Sequence, residues 1–544
     1  MIPDEYLRQL PQLLKQLEKK MPGSGEFPNT GGSNAALPEE ALRDLVDRLS
    51  RHYPFHQPFY AGQMLKPPHP AAWLAYALAM TINPNNHALD GGPEASFMEK
   101  EVIRRLMHLV GFTEQGLGHL TSSGTIANLE ALWVARELHP DRPFAVSSQA
   151  HYTHQRMAQV LRHPVMVLPE DEDGLPDPSR LSSAEPLPGT VVVTLGTTGT
   201  GRVEPLHRIL PWARKNGVRI HVDAAYGGFF HLLRGSGLLD PGPWEALSGV
   251  DSIVIDPHKH GLQPYGCGAV LFRDPAVGKL YRHDSPYTYF TSDELHLGEI
   301  SLECSRAGAA AVALWFTLKL LLPEPVASGQ SSSSGQPSLS GQPSAGERST
   351  PGPDHAATAS TPTHTEVPSR PTHAEVPSRP THAEAPSRPT HAEVPSRPTH
   401  TGALSNYEEG ENAGLPRILA DCRNAALRLY DELKQSDRFQ PVMKPELDIV
   451  TYVPVTGETT FSSVSRVSEE ILKRGMDAGP DTDKLYLSTL ALSREEAARW
   501  LPGLTADADR VRVLRSVLMK PEHLDAVPDV MRRLNQLHRK IVSA

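Results

Sequence analysis

Between Phe144 and Phe272 the chain carries a series of short, nearly continuous apolar runs rich in β-branched residues: FAVSS, VMVL, TVVVTL, RIHVDAA, SIVID and GAVLF. EALWVARELH precedes the first run and EPLHRILPWARKNG lies among them, both with apolar positions at helical spacing. Apolar runs without polar alternation describe strands buried on both faces, and intervening helices describe parallel crossovers. The pattern predicts an α/β fold built on a mainly parallel sheet covered by helices. Near the C-terminus, LPRILADCRNAALRLYDELKQ reads as a helix, and LDIVTYVP and VRVLRSVLM read as strands, which suits a smaller α+β domain.

Two other patterns complete the layout. The N-terminal MIPDEYLRQLPQLLKQLEKKM has the spacing of an amphipathic helix and lacks the basic start, apolar centre and cleavage site of a signal peptide. The longest apolar stretch, Ala307 to Leu322, is short of a membrane span and contains Lys319, so it reads as a core helix. From Pro323 to about Leu404 there is no Trp, Tyr, Phe, Ile, Met or Cys, and a nine-residue unit, PSRPTHAEV and its variants, starts at Pro368, Pro377, Pro386 and Pro395. Such a stretch buries too little apolar surface to offset its ordering entropy, so it is expected to be a disordered insert. The expected domains are 1–60, an N-terminal helical segment; 61–322, the large α/β domain; 323–405, the insert; and 406–544, the small domain.

Composition narrows the function. Of 544 residues 39% are apolar and 21% charged, with net charge −10, which gives no basic surface for nucleic acid and fits a soluble protein without a membrane segment. Cys267, Cys304 and Cys422 are scattered without metal-ligand or disulfide spacing, so no metal is expected and a reducing cytoplasm fits best.

In a parallel sheet ligands gather at the carboxyl ends of strands, and four polar clusters sit at such ends. TLGTTGTG begins at Thr194, HVDAAYGG presents Asp223, and SIVIDPHKH presents His258, Lys259 and His260. In the fourth, SSGTIANLEAL opens a helix whose free N–H groups at Gly124 and Thr125 suit a phosphate. A lysine after a buried strand is costly unless it is neutralised, paired or used. Each feature alone has an ordinary explanation as a cap or ion pair. Together, an amine, a buried acid and an anion cradle match what pyridoxal 5′-phosphate requires: a Schiff-base partner, a counter-charge for its pyridine nitrogen and a phosphate site. SSQAHYTHQ adds His151 as a ring to lie over the cofactor.

These motifs, with FHQPFYAGQM, GGPEASFMEKEVIRRLMHLVG and ECSRAGAAAVALW, resemble the group II pyridoxal-phosphate-dependent amino-acid decarboxylases of fold-type I. The resemblance fades into PELDIVTYV and VRVLRSVLMKPEH, and leaves out the far N-terminus and the insert. It implies a seven-stranded sheet, a homodimer with shared active sites, and conversion of an L-amino acid to an amine and carbon dioxide. The loop after the lysine strand is most similar to that of the microbial tyrosine/aspartate branch, so tyrosine or aspartate/glutamate is the expected substrate. By the same resemblance Lys259 is the Schiff-base residue, Asp223 pairs with the pyridinium, and His151 stacks over the ring and assists the substrate. Ala225 packs against the ring, Gly124, Thr125, Ser252 and His258 lie near the phosphate, and Thr194 stands beside cofactor and substrate. Tyr287 or Tyr289 protonates the substrate carbon, and Arg306 binds the substrate carboxylate or forms a structural ion pair. His260 and Gly261 depart from the aromatic or aliphatic residue that many members carry after the lysine. A carbon–carbon lyase of the sphingosine-phosphate-lyase type and a non-catalytic relative are the alternative readings. Deleting Pro323 to Leu404 is expected to leave turnover largely intact. Carbon dioxide release from the full-length and shortened chains checks this, and a collapse of activity in the latter would show that the insert takes part.

Overall fold

The apolar runs fold, in the computed structural model, into one seven-stranded sheet. The structure describes residues 2–21, 38–181, 186–281, 301–322, 413–477 and 484–542; the insert and both candidate loop tyrosines lie outside them. The strands are β1 (Leu117–Thr121), β2 (Phe144–Val146), β3 (Val165–Val167), β4 (Thr190–Thr194), β5 (Arg219–Asp223), β6 (Ser252–Ile255) and β7 (Gly268–Phe272). Their order is β1-β7-β6-β5-β4-β2-β3. Pairing is parallel from β3 through β6, while β7 is antiparallel to both neighbours. Every residue of β4, β6 and β7 is buried, as the uninterrupted runs predict. β1 escapes the pattern because Gly118 and His119 interrupt it. His119 is buried there only in partnership, its Nε2 lying 2.9 Å from Glu130 Oε2.

Helices cover the sheet. Preceding it along the chain are α1 (Asp4–Lys20), α2 (Glu39–Leu49), α3 (Pro70–Met80) and α4 (Pro93–Leu109); α5 (Gly124–Leu138) and α6 (Thr153–Val160) follow β1 and β2. The apolar stretch becomes the core helix Gly308–Leu321, packed against α3 and α4, with Ala309, Ala310, Ala311, Ala313 and Leu314 buried. Among the described residues no helix is long and apolar enough to cross a membrane.

A second, antiparallel sheet has the order β10-β11-β9-β8, from β8 (Phe439–Pro441), β9 (Ile449–Pro454), β10 (Ser488–Ser493) and β11 (Arg510–Val517). The chain around residue 61, where the large domain is expected to begin, pairs with this sheet. Ala61 N donates to Tyr486 O and Val517 N donates to Ala61 O, so the chain around 61 belongs with the small sheet. The helix Gly414–Lys434 spans both cores: Leu415 and Leu419 pack with the large one, Leu429 and Leu433 with the small one.

Arg515 joins the two parts. Its guanidinium is buried and donates to Thr198 O at 2.7 Å, Gly199 O at 2.9 Å and Gly62 O at 3.3 Å. Replacing it by Met is expected to leave those carbonyls without their donor and to cost about 3 kcal/mol. Urea unfolding of the two proteins measures the difference; an unchanged midpoint would show that the carbonyls find other partners.

Candidate active site

Sheet register brings the predicted cluster together. Thr194 and Asp223 are directly paired at the ends of β4 and β5, and the turn after β6 carries Asp256, His258 and Lys259 beside them. With the first turn of α5 they line a cavity of about 200 Å³. Gly124, Thr125, His151, Thr194, Asp223, Ala225, His258 and Lys259 all border it.

Asp223 is held at both carboxylate oxygens. Its Oδ2 lies 2.8 Å from His154 Nε2, and its Oδ1 accepts from Ala225 N at 3.1 Å. Burial alone would raise the affinity of this carboxyl for a proton. The hydrogen bond and charge of His154, the charge of Lys259 and the Ala225 N–H outweigh burial and hold Asp223 far below the usual carboxylate range. These contacts favour its ionised form at the strand end. His154 was not anticipated from sequence, although its place three residues after His151 was the available signal.

Lys259 is paired, one of the ways in which a lysine after a buried strand is tolerated. Its Nζ lies 3.1 Å from Asp256 Oδ2. Asp256 also stands 3.4 Å from His258 Nε2, and its Oδ1 finds no hydrogen-bond partner among the described residues. A side chain on Gly124 would begin 2.5 to 2.6 Å from the Asp256 carboxylate oxygens, so only glycine fits there. Ser123 caps α5, accepting from Ile126 N at 3.3 Å.

His151 Nδ1 accepts from Thr153 N at 3.2 Å and lies 2.7 Å from Thr153 Oγ1, which places the ring proton on Nε2. Burial keeps this ring below the ordinary histidine range, with Asp223 opposing and Lys259 assisting. Thr194 is pinned by its backbone, N to Glu204 Oε2 at 2.8 Å, while its buried Oγ1 has no partner among the described residues.

Two predicted residues lie elsewhere. Ser252 begins β6, far from the strand end that faces the cavity, and its Oγ is 2.9 Å from His221 Nδ1. His221 Nε2 meets Asn128 Oδ1 at 2.8 Å, and Asn128 Nδ2 donates to Gly124 O at 2.8 Å. Burial pushes His221 down to about 3, so the neutral ring donates to Asn128 and accepts from Ser252. Ser252 thus supports the cradle through two other side chains. Arg306 does not border the cavity. Its Nη1 lies 2.7 Å from Glu99 Oε1 and its Nη2 donates to Asn86 O, which makes the structural ion pair the correct alternative. His260 is also turned away: it is fully buried, with Nε2 3.2 Å from Asp448 Oδ2, and Asp448 Oδ1 accepts from the hydroxyl of Tyr226, which borders the cavity.

Residues 50–322 match the model of the pyridoxal-dependent decarboxylase conserved domain. The chain is 30% identical over 298 residues to a probable L-tyrosine/L-aspartate decarboxylase of Methanothrix thermoacetophila, covering 53% of this chain and 72% of that protein. It is 29% identical over 301 residues to the L-aspartate decarboxylase of Thermococcus kodakarensis, covering 54% and 75%. Among solved structures, mouse CSAD superposes with a TM-score of 0.67 at 19% identity, over 98% of this chain and 93% of that one. Oryza sativa TDC with PLP and tryptamine gives 0.66 at 15% identity, over 99% and 98%.

Glu204, behind Thr194, offers a test of the electrostatics. Burial raises it to about 7 against the bonds from Ser147 and Thr194 N. The folded state therefore binds this proton more tightly than the unfolded chain, so its stabilising contribution is complete below pH 4.5 and is lost as pH rises through about 7. Relative to Glu204→Gln, the native protein is expected to lose about 3 kcal/mol between pH 5 and pH 8. Urea midpoints of both proteins at the two pH values measure this, and parallel midpoints would disprove it.

Proposed function

The chain belongs to the pyridoxal-dependent decarboxylase family, and we propose that it converts L-aspartate or L-tyrosine to the corresponding amine and carbon dioxide. The names of its relatives support this substrate pair. The observation that carries the reading is one cavity holding an amine, Lys259, and a carboxylate, Asp223, that burial cannot protonate.

The residues fit pyridoxal phosphate. Lys259 would hold its aldehyde carbon, Asp223 its ring nitrogen, and the N–H groups that open α5 at Gly124 and Thr125 its phosphate. The unpartnered Thr194 Oγ1 is a buried polar atom waiting for a ligand. When bound, the cofactor supplies an electron-accepting ring that takes up the pair left by departing carbon dioxide.

The chain's own groups do the positioning. Asp223, fixed by His154 and Ala225 N, keeps a negative charge at one end of the cavity and so favours a protonated ring nitrogen there. His151 holds its proton on Nε2, and burial keeps the ring neutral near pH 7, so it offers a hydrogen bond without adding a second cation beside Lys259. Thr194 Oγ1 can orient a substrate carboxylate without competition from another protein partner. The proton for the substrate α-carbon is assigned to Tyr287 or Tyr289 on sequence resemblance alone.

We also propose a homodimer in the cytoplasm. Supporting the dimer, α2 exposes Leu42, Leu45, Val46 and Leu49, an apolar stripe of one helix left in water. Supporting a reducing compartment, Cys267, Cys304 and Cys422 are all free.

The deciding experiment is a panel of L-amino acids incubated with purified full-length protein, with amine and carbon dioxide both detected, alongside Lys259→Ala. Amine from L-aspartate or L-tyrosine, absent from the variant together with the near-visible absorbance band, is the expected result. Reaction with a different amino acid would overturn the substrate. No product and no chromophore would overturn the activity.

A further inference from the structure

The cradle that suits a phosphate already contains an anion. Asp256 is 3% exposed, and its carboxylate lies so close to Gly124, the first residue of α5, that a β-carbon there would collide with both oxygens. One oxygen is engaged by Lys259 Nζ at 3.1 Å; the other has no hydrogen-bond partner among the described residues. The positive end of α5 thus faces a protein carboxylate before any ligand arrives.

The neighbouring histidine does not relieve this charge. His258 Nδ1 lies 2.7 Å from Cys267 O and must donate to it, since a carbonyl can only accept. The remaining nitrogen, Nε2, faces Asp256 Oδ2 at 3.4 Å, and in the neutral ring it is itself an acceptor. Burial favours that neutral ring over the charge of Asp256. Lys259 is then the near cation that compensates Asp256, and it is the same amine that the cofactor needs.

Resting on the reading that this cradle takes the cofactor's phosphate, we propose that Asp256 is an anion brake on cofactor retention. Its carboxylate opposes the phosphate at the start of α5 and holds Lys259 when the cofactor is away. Two anions gathered at one helix end in a site of reduced dielectric repel each other. A protein built this way releases its cofactor more readily than the cradle alone would allow, and its loading follows the supply of pyridoxal phosphate.

The test compares full-length wild type with Asp256→Asn, which keeps the shape and removes the charge. Affinities of the cofactor-stripped proteins for pyridoxal phosphate, inorganic phosphate and pyridoxal are read by tryptophan fluorescence, and the release rate of pyridoxal phosphate by absorbance. The expected result is at least tenfold tighter binding of pyridoxal phosphate and clearly tighter inorganic phosphate in Asp256→Asn, with pyridoxal, which gains only from the freed Lys259, tightened severalfold less than pyridoxal phosphate, and release slowed. Equal or weaker binding of both phosphates by a variant with wild-type circular dichroism would overturn the brake. Tightening of pyridoxal to the same degree would also overturn it, by placing the effect on Lys259 alone. Failure of wild type to bind pyridoxal phosphate at all would instead overturn the functional reading on which the brake rests.

Discussion

The constraint that organises this molecule is a carboxylate kept ionised where burial should neutralise it. Asp223 ends β5 in the middle of the large sheet, and a lone charge there would take up a proton rather than remain. It stays charged because α6 brings His154 Nε2 to 2.8 Å and because the turn after β5 points Ala225 N at the other oxygen. Both donors depend on the whole αβ frame. The helix that supplies His154 begins just after β2, which stands beyond β4 in the sheet, so the pair forms only when the strands are in their native order.

The small domain bears on the same site through the loop after β4. Arg515 of β11 grips Thr198 O and Gly199 O, and Thr198 itself borders the cavity. Asp448, at the start of β9, accepts from the hydroxyl of Tyr226, another residue of the cavity wall, and faces His260 just past the lysine. Arg515, Asp448, Tyr226 and His260 are buried, and buried polar groups are tolerated only when their partners are fixed. The small sheet therefore acts as the clamp that sets the loops at the carboxyl edge of the large one.

Much of this was legible in the chain. The strands β2 to β7 announce themselves as unbroken apolar runs, and the lysine, the acid and the helix opening stand at their ends because a parallel sheet gathers ligands there. What escaped has a common cause. β1 carries Gly118 and His119, β10 is a half-buried strand, and the residues around 61 join the small sheet from the far end of the sequence; none leaves a periodic signature. Within the site, Ser252 lies away from the cavity because a motif gives order along the chain but not which end of a strand faces the cavity, and Arg306 takes the ion-pair alternative because order alone does not show whether an arginine meets a ligand or a protein acid. His154 and Asp256 were passed over although both sit inside quoted motifs, since a partner's role appears only when distances do.

Two acids and one amine share the cavity, and their division of labour decides what the site can do. If Asp223 took Lys259 as its partner, the amine and the acid would neutralise each other and neither would be free for a ligand. Two separate pairings prevent this: His154 supplies Asp223 with a hydrogen-bond donor on the side of α6, and Asp256 takes Lys259 at 3.1 Å within its own turn. The glycine that opens α5 is what lets Asp256 approach the cradle, because any side chain there would push the carboxylate away. A larger residue at position 124 would thus alter more than the room for a phosphate. It would also free Lys259 from its local acid and expose Asp223 to a competing cation, so the separation of charges along this strand edge is a property of the backbone at one position as much as of the charged residues themselves.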